Sequence, residues 1–336
     1  MERRRNAFTL IELLVVIAII GLLISILLPS LALARKSGRA VVCTSNQRQF
    51  GLGYSTYAVD FKDRIATFSW KSGNNESQWS ALHVPQIFGP ANATSDNFAA
   101  IDQAVDIARR LSGRSDLLPP ANWSPFFYYS HLVMNGYLAQ RLPEPMVVCP
   151  EDQARLARQR ASVSPSTWIP GSNPDWHLAY ASSYALVSCA YSADESSGLG
   201  QTMGPGPMQD VNTLGQLPLG RRSLADVMYP GQKVCMMDEY SRHKGRFSYY
   251  AYDDVVQPVL FFDWSVRYAK TAQSNPGADP NSPSDASPLW INYTPDPTAG
   301  DPPTRSGQAS ELVRAHYQWT RSGLKGVDVG GTEVTR

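Results

Sequence analysis

The first forty residues hold the feature that most constrains this chain, a long apolar run placed directly after a basic head. Arg3 to Arg5 form the head, and no residue from Leu13 to Leu28 carries a charge. Leu31 to Ala34 extends the apolar run. A helix rises about 1.5 Å per residue, so residues 8–34 are long enough to cross the roughly 30 Å hydrocarbon core of a bilayer. We therefore predict a membrane-spanning helix here, because a chain in lipid must satisfy its backbone hydrogen bonds internally.

Other uses of an N-terminal apolar run fit less well. A cleaved secretory signal would be shorter and would end in a small-x-small site. A lipoprotein signal needs a cysteine directly after the apolar run, whereas Cys43 lies beyond three basic residues. A plain uncleaved anchor remains open, but Glu12 argues against it, because a carboxylate inside the bilayer costs a few kcal/mol. Glu12 either marks the membrane interface or finds a partner, such as the N-terminal amine of a neighbouring subunit.

Residues 7–13, with the sequence AFTLIEL, resemble the class III prepilin signal of type IV pilins and type II secretion pseudopilins. The resemblance implies cleavage between Ala7 and Phe8 and N-methylation of Phe8. It also implies that Glu12 neutralises the N-terminus of the next subunit during assembly. Pro29 matches the proline that kinks or locally melts the first helix in that family. Ala7 stands where the family consensus has glycine.

The same resemblance divides the chain into four parts. They are a leader at 1–7, a transmembrane helix at 8–34, its extramembrane continuation at 35–62 and a periplasmic α+β domain at 63–336. Basic residues flank both ends of the apolar run, so charge alone leaves the orientation ambiguous. The family match implies a single-pass protein of the bacterial inner membrane, with a cytoplasmic leader and a periplasmic C-terminal domain.

An aromatic stripe follows the apolar run at helical spacing. Cys43, Phe50, Tyr54, Tyr57 and Phe61 are separated by 7, 4, 3 and 4 residues, which predicts a buried face of a continuing helix. This face would dock the helix onto a domain with an antiparallel sheet, the layout of pilins. The segment CTSNQRQFGLGYSTYAVDFKDR also resembles large pseudopilin-like proteins of planctomycete-type bacteria.

Local patterns predict the elements of that domain. A short aromatic strand is expected around residues 68–70, a helix from Ser95 or Asp96 to Gly113, and a short helix at 126–138. Strands are expected in PMVVCPED, YASSYALVSCAYS and QKVCMMDEY, and a strand or a hairpin turning at Asp263 in PVLFFDWSVRYAKT. Residues 196–220 and 273–307 are rich in Pro, Gly, Ser and Asp and are predicted to be loops.

In the pseudopilin-like proteins a His precedes an aromatic-x-Asp-Gly pair. His243 and Phe262-Asp263 resemble this pattern, with Trp264 in place of the glycine.

Four cysteines are present: Cys43, Cys149, Cys189 and Cys235. No CxxC pair indicates a zinc site or thioredoxin-like chemistry. Either the thiols are buried and free, or an oxidising compartment allows two disulfides. Cys189 and Cys235 lie in two predicted strands, which neighbouring positions would bring within bonding range. Cys43 and Cys149 would then be left to pair with each other.

Sites for chemistry or ligands are weak in this sequence. It has no nucleophile elbow, P-loop or HExxH, and the five histidines are scattered. The segment DEYSRHKGR places His243 near Asp238 and Glu239, either as a site or as a solvated turn. Four aspartates of the second loop could bind calcium, or form a solvated acidic loop: Asp279, Asp285, Asp296 and Asp301. Eight tryptophans suggest either glycan stacking or core packing. We predict no resident cofactor.

These features predict a structural, non-enzymatic subunit of a type II secretion pseudopilus or type IV pilus-like filament. The resemblance implies several partners: other pilin or pseudopilin subunits, a prepilin peptidase, an assembly ATPase and an inner-membrane platform protein. The alternative is an anchored minor pilin-like module that binds an extracellular ligand such as a glycan, and a weaker one is an anchored periplasmic enzyme. A formal net charge of +1 over 336 residues gives no field that would favour nucleic acid.

Overall fold

The structure is a computed structural model in which one long helix carries a mixed α+β domain. It describes residues 9–70, 96–114, 117, 125, 128–161, 180–191, 194, 201–203, 211–213, 222–280, 288–297 and 300–331. Helix α1 extends from Leu10 to Asp60 without a break. Its first half makes no contact that buries it, whereas its second half packs against the domain. The α+β prediction, with a long N-terminal helix and an antiparallel sheet, is confirmed.

The buried face of α1 lies where the aromatic stripe predicts it. Cys43, Phe50, Tyr54 and Tyr57 are all buried. Phe61 differs, because it caps the C-terminus of the helix and is 49% exposed. Its ring still stacks on Tyr57, with 4.3 Å between ring centroids. The helical period therefore predicts the docking face correctly up to the end of the helix, where the backbone leaves helical geometry.

The domain is built on a four-stranded antiparallel sheet. In chain order its strands are β1 (Tyr184–Leu186), β4 (Val234–Asp238), β7 (Val256–Phe261) and β8 (Val266–Lys270). They are arranged in the order β1-β4-β7-β8. β4 is buried throughout and β7 almost so, whereas most of β8 is partly or fully exposed. Helix α1, which we call the stem helix, contacts β7 and β8. The sheet therefore supports the stem.

Three two-stranded ladders surround this sheet. They are β2 with β3 (Gln201–Met203 and Val211–Thr213), β5 with β6 (Tyr240–Ser241 and Ser248–Tyr249) and β9 with β10 (Trp290–Tyr293 and Glu311–Arg314). The loop predictions for 196–220 and 273–307 are therefore wrong where these strands lie; other parts of both loops lie outside the described residues. Tyr293 shows why: it is fully buried and stacks on Tyr249.

The remaining helices are short, apart from α2 (Asp96–Ser112), followed by α3 (His131–Met134) and α4 (Gln153–Ala161). The predicted helix ending at Gly113 is confirmed, and Gly113 takes a left-handed φ of 72°, as a glycine after a helix often does. The helix predicted at 126–138 is shorter, with a 3-10 turn at Asn135–Tyr137 after α3; residues 126–127 are outside the described part.

Two predicted strands are absent from the described residues. PMVVCPED forms a 3-10 turn at Pro145–Val147, because the Glu144 carboxylate accepts a hydrogen bond from the Met146 N–H and caps it. Residues 67–70 are irregular, although Phe68 is buried. In both places the apolar residues are buried in the core without belonging to a strand. YASSYALVSCAYS forms only the short β1 and a 3-10 turn at Ser188–Ala190.

The turn between β7 and β8 holds a tryptophan in a backbone conformation that favours glycine. Trp264 takes a left-handed φ of 65°, a region that glycine adopts more easily. Asp263 Oδ1 accepts hydrogen bonds from the N–H and the hydroxyl of Ser265, at 2.9 and 2.6 Å. The Trp264 ring lies parallel to that of Tyr54, with 6.0 Å between centroids. The predicted hairpin at Asp263 is confirmed, and contact with the stem helix accompanies the strained tryptophan.

A buried ion pair attaches the C-terminal segment to β4. Lys233 is fully buried, and its Nζ lies 3.1 Å from Asp328 Oδ1 and 2.8 Å from Thr320 Oγ1. The other carboxylate oxygen of Asp328 accepts the Val234 N–H at 2.8 Å. Each charge is therefore satisfied only while the other is in place.

We expect Asp328→Asn to lower the thermal stability of the detergent-purified full chain by several degrees. Removing one partner of a buried pair leaves an uncompensated charge and costs about 3–5 kcal/mol. Circular dichroism melting measures the change. The double variant Lys233→Met/Asp328→Leu removes both charges and should lose clearly less. A single variant as stable as the double one would show that the pair does not hold this segment.

Candidate functional site

The N-terminal end of α1 is closed by its own side chains. Thr9 is the N-cap residue, and its hydroxyl accepts the Glu12 N–H at 3.3 Å. Glu12 Oε2 in turn accepts the Thr9 N–H at 2.8 Å and the Thr9 hydroxyl at 2.9 Å. This reciprocal capping box satisfies two of the free N–H groups at the helix start. In the single chain, then, the Glu12 carboxylate binds Thr9, the residue directly after Phe8. Ala7 and Phe8 lie outside the described residues.

The first half of α1 presents an apolar surface on every side. Its large aliphatic side chains between Leu10 and Leu33 are 45–78% exposed. By length and composition this helix can cross a membrane. The stretch from Leu10 to Leu33 is about 36 Å long. Polar side chains within it bond to their own helix, since Ser25 and Ser30 donate to the carbonyls of Leu22 and Leu27 at 2.7 and 2.9 Å.

Pro29 lies inside α1, and the residues on both sides of it are helical. The structure therefore shows no local melting at this position. Proline lacks the N–H that would bond to the preceding turn, which is a known cause of kinks. A kink at Pro29 stays a prediction.

A second cluster lies where the stem helix meets the domain. The ligand atoms of Cys43, Cys149 and His243 all lie within 4.8 Å of one another. Cys149 Sγ is 3.1 Å from His243 Nε2, and the Tyr184 hydroxyl donates to Cys43 Sγ at 3.3 Å. Both sulfurs are fully buried, and His243 is only 9% exposed. Three segments far apart in sequence thus bring two soft sulfur atoms and one imidazole nitrogen together.

A buried ionic network holds two of these segments in place. Asp152 Oδ2 lies 2.7 Å from Arg242 Nη2 and 3.0 Å from Arg155 Nη1. Arg155 also contacts Glu239 at 3.1 Å, and Arg242 binds Asp238. Burial alone would raise the pKa of Asp152, but the two arginines outweigh it and hold that pKa below its usual range. Asp152 is therefore ionised at neutral pH.

The same network fixes the backbone of the cysteine segment. Ser183 Oγ accepts the Cys149 N–H at 3.0 Å and donates to Asp152 Oδ2 at 2.7 Å. Burial raises the pKa of the Cys149 thiol well above its usual range, the bond to Cys43 adds to this effect and His243 reduces it. Burial thus keeps Cys149 a protonated thiol at neutral pH.

All four cysteines are buried free thiols in the structure, and the two disulfides stay predictions. Cys43 and Cys149 are nevertheless neighbours, and the second predicted pair is also close, since the Val187 N–H, two residues before Cys189, donates to the Cys235 carbonyl at 3.1 Å. The place of His243 beside two cysteines was not predicted from the sequence. The only signals for it were a cysteine on the buried helical stripe and a histidine just after a predicted strand.

Two of the predicted calcium ligands, Asp296 and Asp301, are neighbours, but no metal-binding group forms around them in the part of the chain that the structure describes. Asp301 Oδ2 accepts the Asp296 N–H at 3.0 Å, and no metal-binding group there includes Asp279, Asp296 or Asp301. Asp285 lies outside the described residues. Asp301 instead lines a cavity of about 260 Å³ with Arg155 and Arg242. Calcium binding stays a prediction.

Two histidines of the described part and Trp319 lie in the core, and the partly buried Trp264 packs against it. His131 and His316 are 0% and 2% exposed, and burial lowers the pKa of His131 to about 3 and that of His316 to about 4. Trp319 is buried, and Trp264 packs on the stem helix. His83 and His177 and the tryptophans at 79, 123, 168 and 176 lie outside the described residues. Core packing thus explains Trp264 and Trp319.

Comparison with known proteins adds one match. Residues 3–28 match the family described as the prokaryotic N-terminal methylation motif. No curated protein matches the chain, and no solved structure matches it. The match covers the basic head, Glu12 and most of the apolar run, so it supports a pilin-type or pseudopilin-type precursor. The chain carries a prepilin-type N-terminal methylation motif followed by a long apolar helix, the organisation of a type IV pilin-like protein.

Proposed function

We propose that this chain is a structural subunit of a type IV pilus-like filament or type II secretion pseudopilus. The observation that carries the proposal is the first half of α1, an apolar helix that the domain leaves uncovered. Fully burying one Leu or Ile side chain is worth about 1.5–3 kcal/mol. Many such side chains together favour transfer of the stem from water into lipid. In lipid this effect no longer distinguishes lipid chains from other stems, so packing between stems depends on close contact and on polar partners.

The two halves of α1 suit this use. The stretch from Leu10 to Leu33 is longer than the bilayer core, and basic side chains follow it at Arg35, Lys36 and Arg39. In the other half, the face that carries the aromatic stripe is already buried against the domain. We assign residues 8–34 to the inner membrane and residues 63–336 to the periplasm, with 35–62 as the link between them.

Glu12 supplies the specificity that an apolar stem lacks. Its carboxylate lies in the apolar run, where its only described hydrogen-bond partner is Thr9 of the same chain. Cleavage between Ala7 and Phe8 would create a new amine beside Thr9. A charged amine on a neighbouring stem is a stronger partner than a hydroxyl in low dielectric. The carboxylate would then bind the neighbour's N-terminus and set the stagger between subunits.

The partners follow from these steps. A prepilin peptidase would remove residues 1–7 and methylate Phe8. Subunits of the same kind would pack stem against stem, and an assembly ATPase acting through a platform membrane protein would drive the addition. The motif belongs to a structural family, and we assign the chain no catalytic step.

Processing is tested on protein isolated from cells that contain a prepilin peptidase. We expect the mature chain to begin at a methylated Phe8, because the motif places a small residue before the cut and an aromatic one after it. Intact-mass and N-terminal peptide mass spectrometry measure both changes. The variant Ala7→Leu should keep residues 1–7, since a large side chain replaces the small one. A mature wild-type chain that starts at Met1, or at any residue other than Phe8, contradicts the proposal.

Assembly is tested with Glu12→Gln, which keeps the shape of the side chain and removes its charge. A hydrogen bond to a charged group is worth about 1.5–3 kcal/mol, so we expect filament yield to fall about tenfold or more. Sheared-filament fractions, or cross-linking between stems in the membrane, give the yield. Protease resistance of the domain reports whether the variant is folded.

Ser25→Ala is the matched control on the same stem. The Ser25 hydroxyl donates to the carbonyl of Leu22 in its own helix, so its loss should leave assembly unchanged. If Glu12→Gln assembles as well as the wild type, the Glu12 charge does not direct assembly, and that part of the proposal is wrong. A processed wild-type chain that forms no filament and no stem cross-link would instead make the apolar helix a plain tether and favour the anchored module that binds an extracellular ligand.

A further inference from the structure

Two cysteines and a histidine meet at the point where the stem joins the domain. Cys43 is on α1, Cys149 follows the 3-10 turn at Pro145–Val147, and His243 follows β5. In a tetrahedral zinc site the bond lengths are about 2.3 Å to sulfur and about 2.0–2.1 Å to nitrogen, which places ligand atoms roughly 3.5–3.8 Å apart. The three ligand atoms here lie within 4.8 Å of one another, with one pair at 3.1 Å.

We propose that Cys43, Cys149 and His243 bind one zinc ion, which clamps the stem helix to the domain. Thiolate sulfur and imidazole nitrogen are the ligands that Zn²⁺ prefers in proteins, whereas calcium and magnesium prefer oxygen. Among the described residues no further His, Cys, Asp or Glu joins the group. The described residues therefore supply three of the four ligands of a tetrahedral site. The proposal is independent of filament assembly and goes beyond it.

Charge balance favours an ion in this buried place. Binding releases the protons of both thiols, so two thiolates and Zn²⁺ together have no net charge. A neutral cluster avoids the cost of burying an isolated ion. His243 Nε2 faces Cys149, so this nitrogen binds the metal and Nδ1 carries the proton.

Surrounding groups hold the ligands ready. The Tyr184 hydroxyl donates to Cys43 Sγ at 3.3 Å, a bond that becomes stronger when the sulfur is a thiolate. Ser183 holds the Cys149 backbone, and the pair between Asp152 and Arg242 fixes the residue next to His243. Such outer contacts orient metal ligands and commonly change metal affinity by about 10- to 100-fold.

The clamp and the disulfide predicted from the sequence exclude each other. A bond between Cys43 and Cys149 would use the same two sulfur atoms that the metal needs. The zinc hypothesis therefore requires free thiols in the metal-free protein and thiolates in the loaded one. His243 separates the two hypotheses, because a disulfide has no need of it.

The test uses the full chain, purified in detergent without chelator and dialysed against buffer with trace zinc. Mass spectrometry of the metal should find one zinc per chain, and a strong chelator should remove it and lower the melting temperature. The variants Cys43→Ser, Cys149→Ser and His243→Ala should each lose most of the zinc. Cobalt in place of zinc should show thiolate-to-metal charge-transfer bands, and these should disappear in the cysteine variants.

Cys235→Ala is the matched control, since Cys235 is buried outside the cluster and should keep full zinc. Circular dichroism shows whether each variant is folded, and the His243→Ala variant keeps both cysteines. Tyr184→Phe should weaken zinc binding about tenfold or more. A Cys43–Cys149 disulfide in the isolated chain overturns the proposal. So does a folded wild-type chain that binds no zinc, one that holds copper instead, or a His243→Ala variant with unchanged zinc.

Discussion

The rest of this structure depends on the apolar surface of the first half of α1, which the described part of the chain leaves uncovered. The side chains from Leu10 to Leu33 remain exposed around the whole circumference of α1. Their position is fixed by continuity with the second half of the helix, which the sheet buries. The helix is thus one element with two environments, and only the second is supplied by the chain. Whatever surrounds the first half, lipid or other stems, completes the burial that the fold leaves undone.

The domain contacts the stem helix at two places that differ in chemistry. Near the C-terminal end of α1 the contact is apolar and close: a Cβ at Gly51 would lie 3.1 Å from Leu260 Cδ1 and 3.2 Å from Trp264 Cβ. This is why glycine occupies that position on the docking face. Two turns earlier the contact is polar and soft, with Cys43 beside Cys149 and His243. The first contact limits how large the residue at position 51 can be, and the second is where the proposed zinc ion would clamp the helix.

Elements that a local sequence pattern defines were predictable from the sequence. Contacts between residues far apart in the chain were not. The aromatic stripe of α1, the helix that ends at Gly113 and the β7–β8 hairpin each carry a repeat that local chemistry enforces. The 3-10 turn at Pro145–Val147 was missed because a single Glu144 cap decides it. The ladder that contains Tyr293 was missed because its burial depends on Tyr249, forty-four residues away. In the first error a local cap outweighed strand propensity, and in the second a tertiary contact outweighed composition.

The candidate site divides in the same way. Glu12 and the apolar run are neighbours in sequence, so a short motif is enough to identify them. Cys43, Cys149 and His243 are about a hundred residues apart from one to the next, and only the packing of α1 on the sheet brings them together. No spacing rule in one sequence contains that information. The predicted pairing named Cys149 as the neighbour of Cys43, and the two do lie close together. It could not indicate His243, because a disulfide involves cysteines alone.

The position of this cluster along the helix links it to the membrane. Arg39, one turn before Cys43, lies 3.2 Å from the carboxylate of Glu151, two residues after Cys149. Half-exposed ion pairs stabilise little by themselves. This pair, however, places a basic residue of the stem and the cysteine segment of the domain at the same level, directly after the apolar run. In the proposed filament, a stem fixed there would transmit its place among other stems to the domain, whereas a stem free to rotate would leave the domains unordered.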